Sequence, residues 1–248
     1  MLELRTLSKS FGGIKAVNQL DLTVAQGEIV GLIGPNGSGK STTVNMVCGV
    51  YQPTSGEILF QGQDLTKMPT HARLQTGVAR TFQNIRLFDQ LTVWQNLLVA
   101  QNSPEDTNST GFLSRWFGNT ARNRASIDEL LAFAGLEDKR NELASNLAFG
   151  EQRRLELARA VAAKPALLLL DEPAAGMNST EVQDLRNRIL HLRDEGMTIF
   201  LVEHVMELVM GVTDRIAVLN FGSKIAEGTP TDIQQNLAVQ EAYLGASR

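Results

Sequence analysis

Residues Gly34-Pro35-Asn36-Gly37-Ser38-Gly39-Lys40-Ser41-Thr42 satisfy the phosphate-binding pattern G-x-x-x-x-G-K-[ST]. Its glycines let the backbone bend tightly and turn N–H groups toward an anion. Lys40 offers a point charge to the outer phosphates, and Ser41 a hydroxyl to Mg²⁺. Far downstream, the apolar run Ala166–Leu170 ends in Asp171-Glu172. A strand buried on both faces puts its C-terminal end beside the phosphate loop in folds of this kind. Asp171 then suits Mg²⁺, directly or through water, opposite Ser41. Glu172 suits a general base that polarises the attacking water. Alone, the second stretch also reads as an acidic helix cap after a core strand; its pairing with 34–42 favours the chemical reading.

These groups need a frame that brings residues some 130 positions apart to one edge. The run Glu28–Ile33 before the loop reads as a buried strand, and Thr42–Val50 after it as a helix whose positive end faces the phosphates. Strands are predicted at 2–7, 20–33, 56–60, 78–82, 166–171, 197–202 and 214–220. Helices are predicted from Thr92 to about Ala100 and at 124–134, 151–163, 180–195 and 204–211. This alternation implies an α/β fold with a mostly parallel sheet covered on both faces. The stretch from about 84 to 153 carries no strong strand and reads as a helical lobe inserted into the nucleotide-binding core. Within it, 101–125 is polar and turn-rich. The apolar cluster Phe112-Leu113, Trp116-Phe117 there reads as an amphipathic turn packing on its own lobe, with a contact to another subunit as the alternative.

The 248 residues suffice for one large domain or two small lobes. A balance of 23 basic and 27 acidic residues, net −4, argues against nucleic acid as the main partner. The single cysteine, Cys48, cannot form an internal disulfide, which fits a reducing setting; its spacing from Val44 and Val47 marks it as a small core residue. No signal-peptide segment opens the chain, and its longest apolar stretch is too short to span a bilayer. Membrane association would therefore come through a partner.

Between the phosphate loop and the acidic pair lies Leu147-Ala148-Phe149-Gly150-Glu151-Gln152. Here the sequence resembles the ATP-binding cassette family, whose signature is Leu-Ser-Gly-Gly-Gln. Leu147 and Gly150 fit. Ala148 replaces the serine, Phe149 the first glycine and Glu151 the glutamine. The resemblance implies a P-loop NTPase core, about 1–83 and 154–248, with a small antiparallel β region and an inserted helical subdomain at about 84–153. It implies ATP and Mg²⁺ as cofactors and a second ATPase, the same chain or a paralogue, whose ATP is met by Ala148, Phe149, Gly150 and Glu151. It implies adenine stacking on Phe11 with Val17 nearby, phosphate contacts from Asn36, Gly37, Ser38, Gly39, Lys40, Ser41 and Thr42, and Mg²⁺ contacts from Ser41, Gln83 and Asp171. Lys40, Gln83, Glu172 and the switch histidine His204 fill the catalytic positions. Ala174-Ala175-Gly176-Met177-Asn178 occupies the place of the dimer-contacting loop, with Asn178 where aspartate is usual.

Three stretches are similar to the ATPase subunits of branched-chain amino-acid importers: Arg80–Asn84 with Leu87-Phe88, Asp171–Asn178, and Val202–Met206 with Leu208–Gly211. The ending Glu241–Gly245 fits as well. That subfamily also tolerates alanine at the Ala148 position. The resemblance implies a peripheral ATPase on the cytoplasmic face of the inner membrane, bound to transmembrane permeases that an extracytoplasmic solute-binding protein supplies. A urea or amide importer, a lipopolysaccharide exporter and a non-transport scaffold for iron–sulfur assembly are the alternatives. Ile85, Leu87, Phe88, Leu91, Val93 and Trp94 divide between lobe packing and a groove for a permease helix. Leu87 and Phe88 are expected as groove anchors.

Overall fold

Two sheets share one helix between them. The computed structural model describes residues 1–81, 83, 85–101 and 120–245, with backbone alone at 120–124 and 244–245. The apolar cluster at 112–117 lies outside the described residues. The first sheet is antiparallel, in the order β2-β1-β4-β5, from β1 (Leu2–Phe11), β2 (Ile14–Val24), β4 (Ser55–Phe60) and β5 (Gln63–Asp64). The second runs β10-β9-β3-β8-β7-β6, from β3 (Ile29–Ile33), β6 (Val78–Arg80), β7 (Leu167–Asp171), β8 (Thr198–Val202), β9 (Arg215–Asn220) and β10 (Ser223–Gly228). It is parallel except for the edge hairpin β9–β10.

Strands β3, β7 and β8 are buried along their whole length, as unbroken apolar runs in a doubly covered sheet must be. Alternate residues serve opposite faces. Leu167 and Leu169 join Val30, Leu32 and Phe200 in a core filled by α1 (Lys40–Val47) and by Leu2, Leu4 and Ile58 of the antiparallel sheet. Leu168 and Leu170 turn to α6 (Ser179–Asp194) and α7 (Met206–Val212), through Val182, Ile189 and Leu208. A third cluster belongs to the lobe. It joins Val93 and Leu97 of α3 (Val93–Gln101), Ile127 and Leu131 of α4 (Thr120–Ala134), and Leu155 and Ala158 of α5 (Phe149–Ala162). Leu157 of α5 packs in the core cluster instead, so this helix bridges lobe and core.

Two sequence expectations change at the N-terminal end. The run read as one strand over 20–33 is two strands, because Glu28 accepts from the Ala25 N–H at 2.7 Å and closes a turn through Gly27. The strand read over 2–7 continues to Phe11 and reverses at Gly12-Gly13, with Phe11 opposite Ile14. Short elements unmarked by periodicity complete the fold: α2 (Thr70–Gln75), α8 (Pro230–Gln235) and α9 (Leu237–Gly245). Cys48 is buried, and burial pushes its thiol up to about 11, as befits a core residue. Among the described residues no helix is long and apolar enough to cross a membrane.

Candidate active site

The C-terminal ends of β3, β8 and β7 lie side by side, and each delivers chemistry to the same edge. Leu32 pairs with Val202, and Val202 with Asp171. One row therefore aligns the strand ends that lead to the phosphate loop, to Glu203-His204 and to Asp171-Glu172.

After Ile33 the chain folds into a cradle that only glycine permits at its ends. A Cβ on Gly34 would stand 2.1 Å from the Leu219 carbonyl oxygen, and one on Gly39 2.4 Å from that of Ala16. Gly39, at φ 107°, hands the chain to α1. The Ser38 hydroxyl is buried and makes no hydrogen bond among the described residues, an acceptor and donor left open beside the loop. Lys40 is buried, its ammonium donating to the carbonyls of Gly34 at 2.7 Å and Pro35 at 3.1 Å. Burial lowers its pKa, while Glu172, Asp171 and Glu203 pull the other way. Asn36, Gly37 and Ser41 are exposed, and Gly39 and Thr42 half-buried.

Glu172 holds a left-handed backbone, φ 49°, which costs a non-glycine residue about 1–3 kcal/mol. Its N–H donates to Val202 O at 2.8 Å, its carbonyl accepts from Ala175, and its carboxylate accepts from Gln83 Nε2 at 2.9 Å. His204 Nδ1 lies 3.8 Å from the same carboxylate and 3.6 Å from that of Glu203. The sequence-predicted Lys40, Gln83, Asp171, Glu172 and His204 thus converge.

Three contributors escaped the sequence reading. Arg80, closing β6, donates to Asp171 at 2.6 Å and to Asn45 of α1 at 2.8 Å. Glu203 has no exposed surface; burial raises its pKa, and the N–H groups of Ala174 and His204 bind it. Arg153 donates to the Gln83 carbonyl at 2.6 Å. A lone charge ending an apolar strand was the available signal for Arg80. The Arg80–Asp171 pair is nearly buried, so removing one partner strands the other. Arg80→Met is expected to lower stability by about 3–5 kcal/mol, read by urea unfolding of the isolated chain. A loss under about 1 kcal/mol would show the pair to be solvated.

Phe11 is 44% exposed at the hairpin, edge-on to Tyr51 at 5.2 Å, with Lys9 Nζ 5.1 Å from its ring. An aromatic face is thereby offered to a flat ligand. Val17 is fully buried and packs beneath Gly39, so it supports the cradle.

The residues at 147–152 open α5, with Ala148 preceding its first turn; the helix begins at Phe149, two residues before the expected start at 151. Gly150 stands against Glu181 and Phe149 against Gly176, so the segment meets the loop after β7. The Glu151 carboxylate caps its own helix through the Ala148 N–H at 2.9 Å and pairs with Lys139 at 2.8 Å; the Lys139 hydrogen bond lowers its pKa most against the effect of burial. Asn178 is the cap of α6, exchanging hydrogen bonds with Glu181 at 3.1 and 2.9 Å.

Ser41, Asp171 and Gln83 each carry a side-chain oxygen of the kind a hard divalent cation takes. Among the described residues no cluster of three or more His, Cys, Asp or Glu could cage an ion alone.

The ABC transporter family matches residues 17–175, and the branched-chain amino acid ATP-binding cassette transporter family matches 223–248. The chain is 44% identical over 252 residues to the high-affinity branched-chain amino acid transport ATP-binding protein BraF of Pseudomonas aeruginosa, covering 99% of this chain and 98% of that one. It is 45% identical, with the same coverage, to the corresponding protein LivG of Escherichia coli K12. The ADP conformation of MJ1267, an ATP-binding cassette of an ABC transporter, superposes with a TM-score of 0.84 at 28% identity, covering 99% and 98% of the two chains. A dimeric post-hydrolysis state of the cassette MJ0796 bound to ADP and Pi superposes with 0.78 at 26% identity, covering 93% and 99%.

Proposed function

The chain belongs to the ABC transporter family, a cassette that binds and hydrolyses ATP to drive transport, and from that premise we propose that it energises import of branched-chain amino acids. Two copies, or one copy and a paralogue, work on the cytoplasmic face of the membrane beneath permease subunits. An extracytoplasmic binding protein delivers the solute.

The observation that carries hydrolysis is the 2.9 Å hydrogen bond from Gln83 to Glu172 at the edge where the phosphate loop begins. Phe11 takes the adenine face. The backbone N–H groups of 36–42 and the start of α1 take the phosphates, with Lys40 neutralising their outer charge. Glu172 accepts a proton from water as its oxygen attacks the γ-phosphorus; the bond to the bridging oxygen breaks, and ADP and phosphate result. Gln83 fixes the Glu172 carboxylate, and His204, 3.8 Å from that carboxylate, donates to the γ-phosphate. Ser41, Asp171 and Gln83 would hold Mg²⁺, which would supply neutralisation of the phosphate charge. Ala148, Phe149 and Gly150, with the N-terminus of α5, address the ATP held by the second cassette.

Coupling to the permease rests on Phe88. Its ring is 46% exposed beside Arg159, whose guanidinium lies 4.9 Å from the ring centroid. Buried Asn96 clamps the Phe88 backbone at both ends, accepting from its N–H at 2.9 Å and donating to its carbonyl at 3.1 Å. The ring borders a groove of about 630 Å³ shared with Leu74, Val99 and Ala160. Leu87 lines the same groove but is half-buried against the lobe cluster, so Phe88 is the more open of the expected pair to a partner helix.

Reconstitution with the permease subunits and binding protein should give ATP-dependent uptake of labelled leucine, isoleucine or valine. Phe88→Glu should leave the isolated chain with unchanged melting temperature and ATP binding, while permease assembly and uptake fail. Hydrolysis without uptake of any of the three solutes would overturn the solute assignment. Normal uptake by the stable variant would overturn the groove.

A further inference from the structure

Helix α5 opens with the segment proposed to meet the opposite ATP, yet one of its faces grips the backbone that carries Gln83. Arg153, Glu156 and Arg159 recur every three residues and share that face. Arg153 and Glu156 are buried and paired with each other at 3.3 Å. Arg153 donates to the Gln83 carbonyl at 2.6 Å, Glu156 accepts from the Arg86 N–H at 3.3 Å, and Arg159 donates to the Arg86 carbonyl. The Arg153 guanidinium also lies 5.5 Å from the ring of Phe149, in the first turn of the helix.

We propose that Arg153 is a positioning residue that ties the first turn of α5 to Gln83, so that engagement of one nucleotide by Phe149 and Gly150 sets the Glu172 carboxylate at the other. This rests on the reading of residues 147–152 as the contact to the opposite ATP. The physical basis is a short, unbroken path. Phe149 stacks beside Arg153, Arg153 holds the Gln83 main chain, and the Gln83 amide holds the base at 2.9 Å. A buried charge-assisted hydrogen bond is short-range and directional, so a rotation of α5 must move Gln83 with it. Hydrolysis at either site would then require that cassette's own α5 to be seated on the partner's nucleotide, which limits futile turnover by an unpaired cassette.

The test uses the two-cassette assembly with its permease. Arg153→Met keeps the stem and removes the donor; Arg153→Lys keeps the charge and one donor, and serves as the folding safeguard. Arg153→Met should lower turnover roughly 10–100-fold, the range of a misplaced catalytic group. ATP binding by the isolated chain should stay unchanged. The Hill coefficient of turnover against ATP should fall toward one, and Arg153→Lys should restore part of both. Combined with Gln83→Ala, either Arg153 variant should add no further loss, because both act through one contact. Additive losses, or a Hill coefficient unmoved in both Arg153 variants, would overturn the inference. Gln83→Ala alone with normal turnover would overturn the underlying site assignment, a separate result.

Discussion

Replacing Glu172 by glutamine should leave ATP bound and cut turnover by roughly 10²–10⁴, the contribution of a positioned general base. The substitution is nearly isosteric. The new amide oxygen can accept from Gln83 Nε2 as the carboxylate does at 2.9 Å, and the main-chain bond from residue 172 to Val202 holds the left-handed backbone either way. What disappears is basicity. Water is then aligned without a proton acceptor, and His204, 3.8 Å away, already faces the buried Glu203 carboxylate. Phosphate release in the reconstituted complex reads the rate. Size-exclusion chromatography with labelled ATP should show a dimer retaining uncleaved nucleotide. Undiminished turnover would remove Glu172 from the base position.

Gly150→Asp should abolish hydrolysis in the assembly while leaving ATP binding by the isolated chain intact. A Cβ at this position would lie 2.5 Å from the Glu181 carboxylate. That carboxylate holds the Asn178 N–H at 2.9 Å, so displacing it opens the cap of α6, worth about 1 kcal/mol. The added carboxylate then repels Glu181 and any phosphate brought to the start of α5. Gly150→Ala separates the two effects: it carries the steric displacement without the charge, and should lose much less. Normal hydrolysis by the Asp variant would mean that residues 147–152 do not meet the opposite phosphates.

The phosphate loop, the acidic strand end and the order of strands and helices were legible because each is a local pattern. Lys40, Asp171 and Glu172 announce themselves by their immediate neighbours, and the buried strands by unbroken apolar runs. The Arg80–Asp171 pair was not legible, since its partners lie on adjacent strands 91 positions apart and only the sheet order joins them. The Gly12-Gly13 reversal carried a recognisable hairpin signal; alternation alone does not mark where a strand turns back. Val17 and Glu151 show what a sequence position leaves open. A position inherited from a resemblance says which residue type stands there. Burial and hydrogen bonding add what the side chain does within the fold: Val17 is buried, and Glu151 caps its own helix.

The close approaches around the cradle also bear on biosynthesis. Gly34 is fitted against Leu219, and the Gly222 N–H closes on the Ser38 carbonyl at 3.0 Å. The nucleotide loop leaves the ribosome well before the walls that close on it. At about 5–20 residues per second, some ten to forty seconds separate the two. Throughout that interval the nascent chain exposes β3 without β8 and β9, the strands that flank it in the finished sheet. A message cut short before codon 222 should therefore yield no weakened ATPase but a chain without a completed nucleotide cradle, dependent on chaperones or destined for proteolysis.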